Sequence, residues 1–212
     1  MNSLQDLANA LETVPGLSDQ GSRQWRTLTT NDIGDVFVLS GKNEIIKSTI
    51  RTYNVKDTNL TSKLQLRSDK SVDLTKFTSI LSNSDGSLLV VWSETELLVI
   101  EQTVHKQTEG TGENPVEYIL RPLDISEHNN KLVDVQFHPL SKFTIVLLFA
   151  TKSLVIWNQG DLTATGKQVF SLPSNLEFSC FTLGQGVGWL KYTVFLGTKN
   201  GGGGRVIGGR HG

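Results

Sequence analysis

The sequence predicts an all-β fold of repeated blade-like units, a partial β-propeller of three to four blades. Three observations predict it. Residues 81–101 (LSNSDGSLLVVWSETELLVIE) and 137–157 (FHPLSKFTIVLLFATKSLVIW) align without a gap at an offset of 56 residues. Each reads as strand, turn, buried strand, turn, strand, the pattern of a repeated β unit. The apolar runs of the body are short, rich in β-branched residues and bounded by turn residues. Between them lies none of the amphipathic helices, roughly ten residues or longer, that a βαβ alternation needs.

Residues 1–32 form a leader. Leu4, Leu7, Leu11 and Val14 follow a helical spacing, and Pro15-Gly16 ends the run. The segment reads either as a short helix or as a disordered leader. The body, residues 33–200, opens with a strand at Asp35–Leu39 and a turn at Ser40–Asn43. Two short strands follow, Glu44–Lys47 and Thr49–Val55, the second carrying Ile50 and Tyr53.

The second unit begins with a strand at Phe77–Leu81. Asn83-Ser84-Asp85-Gly86 is a turn, with a glycine suited to positive φ. Leu88–Trp92 is almost continuously apolar, as expected of a strand buried on both faces. Ser93–Glu96 turns and Leu97–Ile100 returns. The third unit repeats this plan. Leu132, Val133 and Val135 lead to Phe137, and Pro139 ends the strand because it lacks an amide hydrogen. Ile145–Phe149 is the buried run and Leu154–Trp157 the return. A fourth unit begins at Leu176-Glu177-Phe178 and runs through Trp189 to Leu196.

Residues 56–76 and 102–130 are polar, and read as insertions or outer strands joined by loops. Residues 201–212 form a glycine-rich flexible tail, Gly201–Gly204 then Arg205-Val206-Ile207. A blade must cover both its faces with neighbours, so three or four blades are expected to be the N-terminal part of a larger ring. A β-sandwich is the alternative, since counting strands does not separate the two.

Composition narrows the function classes. Twenty basic and twenty-one acidic residues leave a formal net charge of -1, which gives no global attraction to nucleic acid or anionic membrane. Cys180 is the only cysteine, so no internal disulfide can form and a reducing, intracellular setting is the simpler expectation. No apolar run reaches the roughly 18–20 residues of a membrane span. The N-terminus lacks the basic and apolar regions of a signal peptide.

The candidate chemical groups do not converge. His105, His128, His138 and His211 match no zinc spacing. His138 reads as a capping or packing residue at a strand-to-turn junction, and Cys180 as a small buried hydrophobe. Gly184, Gly186 and Gly188 do not match a phosphate loop. Asp85 starts a turn, Asp134 is a polar anchor for a neighbouring turn, and Glu94 and Glu96 face water. No catalytic, metal or cofactor residues are expected, and the chain is not expected to be an enzyme. Tyr53, Trp92, Phe137 and Trp157 are the candidate structural or interface anchors, because aromatic residues fill cores and interface centres alike.

Three sets of residues carry a family resemblance. They are Ile50–Val55; Ser84–Leu89 with Glu96–Ile100; and Val133-Asp134-Val135-Gln136-Phe137-His138-Pro139 running on to Trp157. In order and spacing they resemble the N-terminal β-propeller of the nucleoporins that anchor the cytoplasmic filaments of the nuclear pore. That family contains the yeast eighty-two-kilodalton nucleoporin and its eighty-eight-kilodalton animal relative. The resemblance covers residues 33–160 and extends more weakly to about residue 200. It implies a truncated form of a seven-bladed ring, a non-enzymatic scaffold at the cytoplasmic face of the nuclear pore that supports mRNA export. The implied partners are other nucleoporins: a C-terminal helix of an FG-repeat nucleoporin and the folded C-terminal domain of another. Neither direct nucleic-acid binding nor membrane insertion is implied. A WD-like adaptor of another intracellular complex is the competing reading, and an enzyme on a β scaffold a third.

Overall fold

The computed structural model describes residues 27–40, 43–49, 60–68, 71–104, 116–128, 131–158, 167–184, 190, 193–200 and 203–207. The expected leader helix at residues 4–14, the glycines at 186 and 188, and Tyr53, Trp189 and the strand to Val55 lie outside them. Two compact units divide the chain, Met1–Asp124 and Ile125–Gly212. Each holds two β-sheets, and the described residues contain strands, turns and two short 3-10 turns but no α-helix.

In the first unit, β1 (Leu28–Thr30), β2 (Asp35–Ser40), β3 (Glu44–Thr49) and β4 (Leu60–Lys63) form one antiparallel sheet in chain order. A short strand, β5 (Leu66–Arg67), leads into the second sheet. There β6 (Ser79–Ser82), β7 (Leu88–Trp92), β8 (Leu97–Val104) and β9 (Val116–Leu123) form the same meander. β5 adds to its outer edge, parallel to β9, with Leu66 opposite Tyr118.

In the second unit, β10 (Leu132–Phe137), β11 (Thr144–Phe149), β12 (Ser153–Asn158) and β13 (Lys167–Ser171) form the third sheet. β14 (Phe178–Leu183), β15 (Thr193–Thr198) and β16 (Gly203–Ile207) form the fourth. Four separate antiparallel meanders, each ordered by the chain from one edge to the other, are propeller blades. The fold is a partial β-propeller, with blades 1 and 2 in the first unit and blades 3 and 4 in the second.

Alternation along the strands builds the cores. Phe37, Leu39 and Ile45 of blade 1 pack against Ile80, Leu89, Val91, Leu98, Ile100, Tyr118 and Leu120 of blade 2. The intervening residues are buried too: Leu88, Val90 and Trp92 are each 5% exposed or less. β7 is thus buried on both faces, which explains its unbroken apolar run. In the second unit Val146, Leu148 and Leu154 of blade 3 meet Phe178, Phe181, Leu183, Val194 and Leu196 of blade 4. Ile145, Leu147 and Phe149, on the opposite face of β11, are also buried.

Several elements differ from the sequence reading. β1 lies ahead of residue 33, inside the stretch read as leader, and pairs with β2 from Leu28 opposite Val38 to Thr30 opposite Val36. β16 lies inside the stretch read as a flexible tail. It is held in strand form by five cross-strand pairs with β15, from Thr193 opposite Ile207 to Gly197 opposite Gly203; pairing overrides the low strand propensity of glycine. Blade 2 opens at Ser79 instead of Phe77. Phe77 instead closes a 3-10 turn over Leu74–Lys76, which Asp73 caps by accepting from the Thr75 amide.

The repeat also slips at each hairpin. With Leu89 and Ile145 held at their offset of 56, their partners on the first strands are Ser82 and Phe137, 55 apart. Their partners on the third strands are Ile100 and Trp157, 57 apart. The gapless alignment therefore holds for the central strands, while the flanking hairpins differ in loop length.

Candidate functional site

The seam between blades 1 and 2 rests on neutral hydrogen bonds and one turn-to-turn contact. Thr29 Oγ1, in β1, accepts from the Ser82 amide of β6 at 3.1 Å. The Asp32 amide, in the β1–β2 turn, donates to the Ser84 carbonyl of the β6–β7 turn at 2.9 Å. Asn31 braces its own turn: its Oδ1 accepts from the Ile33 and Asp35 amides at 3.2 and 2.8 Å, and its Nδ2 donates to Asp35 Oδ2 at 3.2 Å. Gly86, at φ +74°, lets the two turns approach. A Cβ there would fall 2.4 Å from Asn31 Nδ2.

Asp35 is 3% exposed, and its charge is met by Lys47 Nζ at 2.8 Å. Burial, assisted by the negative charge of Asp35, pushes the Tyr118 phenol up to about 12. Hydrogen bonds from the Thr75 hydroxyl and amide hold the exposed Asp73 carboxyl below its usual value.

The seam between blades 3 and 4 uses a buried carboxylate. Asp134 lies on β10 and is 3% exposed. It accepts from the Val135 amide at 2.9 Å and from the Phe181 amide of β14 at 3.3 Å. Gln136 Nε2 donates to the Phe181 carbonyl and lies 3.5 Å from Asp134 Oδ2. The pair thus grips both polar groups of residue 181. The register of β10 is irregular between Leu132 and Asp134, and that of β14 between Phe178 and Cys180. Such bulges re-aim side chains. Asp134 thus acts as a polar anchor, but it holds the first strand of the next blade instead of the neighbouring turn expected from its sequence position. Half-buried Cys180 occupies the matching place on β14.

The four candidate anchors part company. Tyr53 lies outside the described residues. Trp92 is 5% exposed on β7, paired with Ser79 and Leu97, in the first unit. Phe137 and Trp157 come together in the second unit. Both pair with buried Ile145, so Phe137, Ile145, Trp157 and Lys167 form one row on one face of blade 3. Phe137 and Trp157 are half-buried.

Two further residues at that end went unread in the sequence. Leu140 is 60% exposed and Phe143 46% exposed, both in the β10–β11 turn. That turn is ordered by its own hydrogen bonds. His138 donates its amide to the Thr144 carbonyl at 2.8 Å, and its Nδ1 accepts from the Leu140 amide at 3.2 Å. His138 therefore caps the turn, as its place in the sequence predicts. In the gapless alignment Leu140 and Phe143 stand over Ser84 and Ser87. This change from polar to apolar was the available signal.

Nothing in the described residues assembles a reactive centre. No group of three or more His, Cys, Asp or Glu side chains among them could hold a metal ion. A cavity of about 370 Å³ in the first unit is lined, among the described residues, by Asn43, Ser68, Ser71 and apolar residues including Leu66, Leu74 and Leu120, none of them charged. Asn43, at φ 63°, turns its Oδ1 to the Leu74 amide at 2.5 Å, a structural use of the one amide side chain there. Among the described residues no helix is long and apolar enough to cross a membrane.

No protein-family model matches the sequence, and no curated protein matches it. Solved structures do. The fold is similar to that of a chain in the crystal structure of the Chaetomium thermophilum heterotrimeric Nup82 NTD-Nup159 TAIL-Nup145N APD complex. The TM-score is 0.55 at 14% identity, over 91% of this chain and 44% of that one. A chain of the yeast heterotrimeric Nup82-Nup159-Nup116 nucleoporin complex aligns with a TM-score of 0.48 at 19% identity, over 89% of this chain and 44% of that one. This chain spans less than half the length of the solved chains it matches.

Proposed function

We propose that this chain is part of a non-enzymatic docking propeller of the nuclear pore. On this reading it holds other nucleoporins at the cytoplasmic face and supports mRNA export and nucleocytoplasmic transport. The observation that carries the proposal is where the family-like segments fall. Ser84–Leu89 and Leu97–Ile100 build the hairpins of blade 2, and Val133–Trp157 builds blade 3. These are the blades of a fold like that of the Chaetomium chain. Among the described residues the seams are buried and no cluster of His, Cys, Asp or Glu assembles, an arrangement that fits docking better than chemistry.

The partners expected are an amphipathic helix from the C-terminus of an FG-repeat nucleoporin and the folded C-terminal domain of a second nucleoporin. Recognition would run through blade edges and turns, with aromatic anchors such as Phe137 and Trp157 supplying affinity. The test is co-purification of the full chain with a tail segment and a domain of the kinds in the Chaetomium complex, combined with imaging in cells. Retention of at least one partner and a rim signal at the nuclear envelope are expected. A folded chain that retains neither partner and localises elsewhere identifies an adaptor of another complex and overturns the proposal.

A further inference from the structure

The outer edges of blades 2 and 3 end differently. In blade 2, β9 is not the last strand: β5 pairs parallel to it, with Leu66 opposite Tyr118, and the Tyr118 amide donates to the Gln65 carbonyl at 3.0 Å. Leu66 packs against the same core as Tyr118, which is 3% exposed. In blade 3, β13 is the outermost strand, and among the described residues no strand pairs beyond it. There Phe170 takes the place of Tyr118. It is an aromatic side chain at the outer end of a core row, paired with Leu154, and it stays half-buried.

The register fixes which backbone groups of β13 face outward. Leu172 donates its amide to the Lys152 carbonyl, and hydrogen-bonded pairs alternate along an antiparallel ladder. Phe170 and Gln168 therefore bond Leu154 and Ile156 of β12, while the amides and carbonyls of Lys167, Val169 and Ser171 point away from it. Natural edges are blunted by proline, charge or a bulge. Gln168–Ser171 carries none of these, its pairing with β12 is regular, and Val169 is 53% exposed. Lys167, the one charged residue of the strand, is held by Glu127 at 2.8 Å, so charge does not select the occupant. The backbone does: a row of outward amides and carbonyls complements an extended chain, and blade 2 uses an added strand at this place.

We propose that β13 docks an extended segment of a partner protein, which adds to blade 3 as a fifth strand and sets an aliphatic side chain beside Phe170, as Leu66 is set beside Tyr118. The proposal rests on the docking role proposed above and assigns it an edge and a ligand chemistry.

The test uses the full chain and three short synthetic peptides of one length. One alternates leucine with threonine, a second is the same sequence with its central amides N-methylated, and a third carries serine for leucine. Labelled-peptide anisotropy reads binding, amide exchange reads the edge, and a thermal melt confirms folding. The leucine peptide binds and slows exchange at Val169, the serine peptide binds more weakly, and the N-methylated peptide does not bind. Val169→Pro, which removes an outward amide and leaves the bonds to β12, weakens the leucine peptide by about tenfold or more without moving the melt. Val169→Lys keeps that amide and adds the charge that guards other edges; it weakens the peptide too, and carries the test if the proline variant does not fold.

Absence of leucine-peptide binding, equal binding of the N-methylated peptide, unchanged exchange at Val169, or binding that both variants retain overturns the proposal. So does self-association that Val169→Lys abolishes in sedimentation, which makes a second copy the occupant. Nucleoporin co-purification separates the two claims. If partners are retained while the peptide fails, this edge falls alone; if the peptide binds while no nucleoporin is retained, the pore assignment falls and the edge stands.

Discussion

The two blade seams solve one problem with different chemistry. Each must satisfy the polar backbone along a first strand while apolar faces close beside it. Blades 1 and 2 do so with a threonine hydroxyl, a turn-to-turn amide and a glycine that lets the turns touch. Blades 3 and 4 do so with Asp134 and Gln136, which hold both polar groups of Phe181. The neutral seam spreads its bonds over several residues, so each is individually modest. The charged seam concentrates them on one carboxylate, whose burial is tolerable only while its partners stay in place. The first unit also buries a carboxylate, Asp35, whose charge is met by Lys47 at 2.8 Å.

The largest expected effect lies in the first unit, at alkaline pH. Tyr118 is 3% exposed and packs into the core between blades 1 and 2. Its phenol titrates at about 12 when folded, above the ordinary 10. Between those values the unfolded chain gives up the proton first, so stability is complete below pH 10 and falls as pH rises through 12. A displacement of this size corresponds to about 3 kcal/mol at the upper limit. Chemical denaturation at stepped pH should show that fall, and Tyr118→Phe should remove it. A wild-type chain whose alkaline loss matches that of the phenylalanine variant would show the phenol to be solvated.

Asp134→Ala should come next, at about 2 kcal/mol. The substitution strands the Phe181 amide and leaves Gln136 with one partner fewer, in a seam that neighbours the Val146–Phe181 core. Amide exchange at Phe181 should accelerate strongly while exchange at Ser82 stays as it was. Equal acceleration at both amides would mean that the seams do not act separately.

The same contrast shows what could be read from sequence. The central strands were legible because burial on both faces writes an unbroken apolar run: Leu88–Trp92 is β7 to the residue, and Ile145–Phe149 is β11 but for Thr144. Asp134 was legible as a polar anchor, because a carboxylate entering an apolar strand needs donors nearby, but its partner is a strand of the next blade and not the turn expected. The outer strands were not. β13 reads KQVFS with Val169 53% exposed, so one face is solvated and alternation is weak. β1 and β16 are strands through pairing with β2 and β15, not through propensity. Leu140 and Phe143 were visible in the alignment with blade 2, but only the structure shows that their turn leaves them exposed instead of packing them against a neighbour.

Thr29→Val is the smallest change and the sharpest test of the neutral seam. Valine keeps the shape and strand preference of threonine and removes only the hydroxyl oxygen that accepts from the Ser82 amide at 3.1 Å. Thr29 is 8% exposed, as is Ser82, so water has little access to replace the lost acceptor. The cost should be about 1 kcal/mol, the net worth of one neutral hydrogen bond. It should be read locally, as faster amide exchange at Ser82 with the Asp32–Ser84 turn contact intact. A loss as large as that of Asp134→Ala would mean that the first seam, too, hangs on a single residue. A loss near zero would place its strength in the turns, where Gly86 and Asn31 meet.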